Sequence, residues 1–197
     1  MNARILLSWA IFASPLAALP EMDWDKDLDA KTKTMLQQAM QLQADHPDIP
    51  YKNASASPEE GMDCSGAVSY ILKQAGIEAP RSSAGQFAWL KDSPRFTRVP
   101  AEARDISHAA YRKLKPGDLI FWAADVADSD KAPSVSHVQM YLGKEKSDGL
   151  PVMVGSSDGR SYRGQKRNGY GIVDFHVPKV DSKTRIVGFG PPPFPGK

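Results

Sequence analysis

The chain has 197 residues, a formal net charge of +2, 41% hydrophobic residues and 24% charged residues. That length suits one compact domain with a short targeting segment, and the composition excludes a disordered chain or a multi-span membrane protein. So small a charge, with no basic stripe interleaved with aromatics, argues against nucleic acid as a partner.

At the start, Arg4 precedes an apolar run from Ile5 to Ala13, and small residues follow from Ser14 to Ala18. Charge, apolar run and small residues in that order mark a secretory signal, and the run is too short to span a bilayer comfortably. Residues 1–18 are therefore expected to be a signal peptide, although Leu16 is an imperfect residue three places before a cut after Ala18. A membrane-anchoring or buried N-terminal helix is the alternative. On the first reading the mature protein is periplasmic or secreted, without an integral membrane span. A single cysteine, Cys64, excludes an intramolecular disulfide. An idle, accessible thiol is a liability in an oxidising compartment, so Cys64 calls for either burial or chemistry.

Residues 25–45 carry Leu28, Met35, Leu36, Met40 and Leu42 among polar positions, predicting an amphipathic helix stopped by His46-Pro47 and Ile49-Pro50. The catalytic domain is placed at 46–190. Within it, DCSGAVSYILKQAG predicts a second helix with Cys64, Val68, Ile71, Leu72 and Ala75 on one face. Asp63 is its N-cap and Gly76 its left-handed C-terminal residue. A short helix is expected near 83–90. Residues 91–113 give no readable pattern.

From Lys115 the texture changes to strands: LKPGDLIFWAA, SHVQMYLG, PVMVGSS, GYGIVDFHVP and TRIVGFG. Helices first and strands afterwards predict an α+β fold, with a mainly antiparallel sheet of about five strands packed on the N-terminal helices. In SHVQMYLG, Val138, Met140 and Leu142 share one face, and His137, Gln139 and Tyr141 share an opposite, polar one. The basic segment GSSDGRSYRGQKRNGYG, with Arg160, Arg163, Lys166 and Arg167, is expected as a solvated hairpin loop, contact with substrate carboxylates being its functional alternative. Asp125, Asp128 and Asp130 are expected as a solvated loop. Residues 191–197 are expected as a proline-rich surface tail.

A cysteine at a helix start can be a nucleophile, because unpaired N–H groups and the helix dipole favour the thiolate there and can later hold an oxyanion. A histidine opening a strand can take the thiol proton and return it to a leaving amine. Spacing alone leaves this level with the plain alternative of a buried core cysteine and an ordinary polar histidine, since His46, His108 and His176 offer chance partners as well.

The series DCSGAVSYILKQAG, PRSSAGQ, LKPGDLIFW and SHVQMYLG resembles the ordered motifs of the NlpC/P60 cell-wall peptidases, of the papain-like superfamily. The likeness covers residues 49–157. It implies Cys64 as nucleophile, His137 as general base, and Tyr51, Asp63, Ser65 and Arg81 on the substrate-binding side. Tyr51 departs from the family in being followed by Lys52-Asn53-Ala54 where Tyr-Gly-Gly is usual. Arg81, Ser83 and Gln86 fit a family texture of mostly structural role. The implied substrate is a peptidoglycan stem peptide, typically cut at a D-glutamyl to diamino-acid bond, by a monomer. No zinc, paired-cysteine or calcium-loop spacing is present, so no metal or other cofactor is expected. The family's third polar residue, which orients the imidazole, falls on Gly155. Ser156 and Ser157 are the first candidates to replace it, with Asp158, Gln139, His176 or a backbone carbonyl behind them.

Overall fold

The computed structural model describes residues 19–124 and 133–194. The expected signal peptide, the acidic residues Asp125, Asp128 and Asp130, and the last three residues of the tail lie outside them.

Three helices form where periodicity and capping residues coincide. Helix α1, Ala30–Asp45, starts at Asp29, whose carboxylate accepts from Thr32 N at 3.3 Å, and it buries Met35, Leu36, Ala39, Met40 and Leu42. It is shorter at its start than the expected 25–45. Helix α2, Cys64–Gln74, is capped by Asp63, which accepts from Gly66 N at 2.7 Å. Just past its end Gly76 takes φ +74°, the left-handed conformation that glycine adopts without strain. Helix α3, Ser83–Leu90, is capped by Ser82.

Two short strands, β1 (Ala56–Ser57) and β2 (Gly61–Met62), pair just ahead of α2. The main sheet holds β3 (Thr97–Arg98), β4 (Leu119–Ala124), β5 (Val135–Lys144), β6 (Pro151–Tyr162), β7 (Gln165–Asp174) and β8 (Thr184–Gly190). Its order is β3-β8-β4-β5-β6-β7, and every pairing is antiparallel. This is the expected α+β fold with six strands in place of about five. The additional strand, β3, is two residues long and comes from the stretch that showed no pattern.

Both faces of the sheet are covered. Val138, Met140, Leu142, Val152 and Val154 join the helices in one cluster with Cys64. Ile120, Trp122, Tyr141, Met153, Val173, Phe175 and Phe189 join Val99, Ala103 and Tyr111 in a second. Residues 97–113 therefore close the far face with little regular structure. This corrects the expected polar face of β5: Gln139 is wholly buried and Tyr141 nearly so. The basic segment is likewise not a loop but two long strands meeting at the Arg163–Gly164 turn. Nor is the tail wholly on the surface, since Phe194 is buried in the helix-side cluster.

One local break in the ladder positions the candidate site. Among the described residues, β5 and β6 pair only from Met140 opposite Val154 onward, so residues 135–139 of β5 have β4 as their one strand neighbour. Helix α2 packs against both strands. Ser156 Oγ donates to Met62 O at 2.6 Å, tying β6 to the segment that leads into Cys64.

Candidate active site

Cys64 is the first residue of α2 and is buried. Its thiol lies 3.9 Å from Ser136 O, and Val138 N–H points at the same sulfur. In an antiparallel strand the C=O of one residue and the N–H two places on face the same edge. The sulfur thus occupies the edge of β5 that β6 has left, against the two peptide groups that bracket His137. Burial pushes the thiol up and the Asp63 charge adds to this, while N–H groups of Val138, Ser65 and Cys64 itself pull the other way without prevailing. The thiolate-favouring helix start read from the sequence is therefore outweighed here by desolvation.

His137 sits at the edge of the far face, its ring centroid 5.5 Å from that of Trp122, its cross-strand neighbour. Burial, and then the charge of Arg160, push the imidazole down to about 3, so it is neutral at neutral pH. Its Nε2 is buried without a hydrogen-bond partner. Thiol and imidazole make no hydrogen bond with each other among the described residues; they meet through the backbone on either side of His137. Of the other histidines, His108 caps a short 3-10 helix by accepting from Ala110 N, and His176 is exposed beside Asp174.

Asp63, Ser65 and Arg81 form one network. Arg81 grips the Asp63 carboxylate with two bonds of 2.9 Å, and reaches Ser65 Oγ at 3.0 Å and Ser55 O at 2.9 Å. Ser65 Oγ donates to Asp63 at 3.1 Å. Burial acts to raise the Asp63 carboxyl, but bonds from Arg81, Gly66 and Ser65 and the guanidinium charge hold it below its ordinary value. The Gln86 amide nitrogen, in turn, lies 3.1 Å from Ser65 O and 2.9 Å from Pro80 O. These side chains fix the first turn of α2, and Arg81, with 44% of its side chain exposed, is the member that also faces solvent.

Tyr51 is held beside Met62 by Lys52 N bonding to Met62 O at 3.1 Å and Met62 N to Pro50 O at 3.0 Å. Its phenol is raised by burial and then by the charges of Cys64, Asp63 and Asp158, and it lines a cleft of about 570 Å³. Asp158, Lys166, Arg167 and Asn168 line the same cleft.

A family model for NlpC/P60 matches residues 48–160, more than half of the chain. The chain belongs to the NlpC/P60 family. Over 96 residues it is 30% identical to a gamma-DL-glutamyl hydrolase of Bacillus subtilis, covering 48% of this chain and 18% of that protein. Over 82 residues it is 33% identical to a probable endopeptidase p60 of Listeria monocytogenes, covering 42% of this chain and 12% of that protein. The chain thus spans less than a fifth of the length of these two relatives. A solved structure of a lipoprotein-like NLP/P60 family protein from Staphylococcus aureus shares the fold, with a TM-score of 0.50 at 20% identity, over 89% of this chain and 44% of that one.

At Gly155, where the resemblance sets the third polar residue, an added Cβ would lie 3.1 Å from Gln139 Cγ. Gln139 fills the volume that a side chain at 155 would take. Ser156 is not brought to the imidazole: its hydroxyl is bonded to Met62 O. Ser157 is buried opposite Gly169 of β7, with no bond to His137. Among the described residues no group of three His, Cys, Asp or Glu side chains could hold a metal ion, and no helix is long and apolar enough to cross a membrane.

Proposed function

We propose that this chain is an exported cysteine endopeptidase that hydrolyses an amide bond in peptidoglycan stem peptides through an acyl-enzyme on Cys64, with His137 as general base. The observation that carries this reading is the Cys64 sulfur at a helix start, seated against the peptide groups on either side of His137. The names of its relatives, an endopeptidase and a glutamyl hydrolase, support the bond class.

In the free protein both partners favour their neutral forms, a thiol and an imidazole. Attack then requires the imidazole to turn from Trp122 toward the sulfur and take its proton. The thiolate adds to the amide carbonyl carbon, and N–H groups at the start of α2 receive the oxyanion. On collapse the C–N bond breaks and the imidazolium gives its proton to the leaving amine. Water, deprotonated by His137, then cleaves the thioester and restores the thiol. Tyr51 and Arg81 border the entrance, and the action is periplasmic or secreted, by a monomer.

The missing Cys64–His137 hydrogen bond and the glycine at 155 favour a second reading, a wall-binding protein without turnover. Another amidase or lytic effector activity on the same scaffold is the third. Digesting purified sacculi with wild type, Cys64→Ala and His137→Ala, and reading fragments by mass, separates them. New stem-peptide fragments from wild type alone support the endopeptidase; fragments cut at another amide support the third reading. Identical profiles from all three proteins would retire the enzyme.

A further inference from the structure

The four basic side chains of the β6–β7 hairpin have different surroundings. Arg163 is committed to three carboxylates, Glu145 at 2.9 Å, Asp148 at 3.0 Å and Asp174 at 2.7 Å. Lys166 and Arg167 line the cleft beside Tyr51. Arg160, which follows a register shift after Ser157, reaches Trp122 of β4, where its Cζ stands 5.2 Å from the ring centre. It is half-buried, and among the described residues it has no hydrogen bond and no carboxylate partner.

Buried polar atoms of β4 and β5 are unpartnered too. Five buried side-chain atoms lack a hydrogen bond among the described residues, and four of them are Trp122 Nε1, His137 Nε2 and both amide atoms of Gln139. Partly desolvated cations and buried donors without acceptors are costly, and proteins tolerate them chiefly where a ligand completes them. The Trp122 N–H is a donor on the residue under the guanidinium, and the guanidinium is a planar fork suited to two oxygens. Burial pushes the Arg160 guanidinium below its ordinary value, a strain that an anion would relieve.

We propose that Arg160 seats a carboxylate of the substrate, carried by a residue flanking the scissile amide, directly beside His137. The proposal rests on the reading of Cys64 and His137 as the reaction centre. Two successive steps of 5.2 Å and 5.5 Å lead from the guanidinium over Trp122 to the imidazole. That path is within the reach of one to three extended residues at about 3.3–3.6 Å each. An amide formed through an acidic side chain leaves such a carboxylate free, because the main-chain carboxyl is not consumed. Its arrival also offsets the Arg160 charge, which adds to burial in holding the imidazole down, so the recognised group removes the smaller of the two effects that oppose protonation.

The test is a calorimetric titration of Cys64→Ala protein with two synthetic stem peptides, identical except that this carboxylate is free in one and amidated in the other. The free acid should bind about tenfold tighter or better. Arg160→Gln in the same background should abolish the preference, and Arg160→Lys should retain part of it. Equal affinity for the two peptides, no measurable binding of either, or a preference that survives Arg160→Gln would overturn the proposal. The peptide comparison needs no change at Arg160, so a misfolded variant does not decide it. Because binding is read without the nucleophile, loss of the preference is distinct from failure of the endopeptidase reading, which the sacculus digestion reports.

Discussion

The sulfur of Cys64 lies 3.9 Å from the carbonyl oxygen of Ser136, the residue immediately before His137. Sulfur and imidazole are thus held in register by main chain, with no hydrogen bond between the two side chains among the described residues. A main-chain support is insensitive to rotamer changes, and it leaves the imidazole able to turn. Burial, opposed by the Val138 N–H, is what raises the thiol and favours its neutral form.

That state can be titrated directly, because Cys64 is the one cysteine in the chain. Thiolate absorbance, with Cys64→Ala as blank, should rise with a midpoint above the ordinary thiol value of about 8.5. Asp63→Asn should move the midpoint down, since the Asp63 charge is among the causes that raise it. A thiolate signal already complete at about pH 6 would contradict the neutral resting pair.

Gly66 lies in the first turn of α2, and a Cβ there would fall 2.1 Å from Ser55 O. Ser55 O also accepts from Asp63 N and Arg81, so it has little freedom to withdraw. Gly66→Ala should destabilise by about 3 kcal/mol or more in urea unfolding. A loss within about 0.5 kcal/mol would show that the turn yields easily.

Asp118 and His137 make opposite contributions to stability against pH. Burial raises the Asp118 carboxyl to about 7. The folded state therefore holds a proton that the unfolded state releases near 3.9, and this contribution falls as pH rises through that window. His137 is depressed to about 3. The unfolded state gains a proton below about 6.5, so its contribution is full above that value and is lost on acidification. Between about pH 4 and 6.5 the two slopes, each on the order of 1.4 kcal/mol per unit, cancel. Relative to wild type, Asp118→Asn should make stability rise with pH across this window, and His137→Gln should make it fall. Parallel curves for all three proteins in urea melts at stepped pH would reject the assignment.

Gln139 has both amide atoms buried without partners. Gln139→Met keeps the volume over Gly155 and removes the unmet polar groups, so it should stabilise by about 1–2 kcal/mol. A variant less stable than wild type would mean that the amide is satisfied in solution.

The sequence made α2 legible because three signals agreed: an apolar stripe, Asp63 before it and Gly76 after it. His137 on a strand was equally readable from alternation. The far face was not. Polar residue types suggest a polar face for β5, whereas Tyr141 of that face is buried in a cluster with Val99, Ala103 and Tyr111, drawn from a stretch with no period to detect. Burial of polar side chains against local pattern is what functional sites impose. The register shift before Arg160 follows from strand pairing over long range and leaves no mark in the composition of the hairpin. Asp63 and Arg81, which the resemblance sets on the substrate side, also brace the helix start, where Arg81, the Ser65 hydroxyl and Gly66 N–H all bond to the Asp63 carboxylate.

The early end of the β5–β6 ladder sets a limit on how this protein can be stabilised. Zipping the two strands one pair further would add hydrogen bonds and close an unused border, an attractive change to an engineer improving the scaffold. It would also evict the helix tip from its berth and leave the sulfur nothing to lean on. Reactivity here depends on the sheet remaining unfinished.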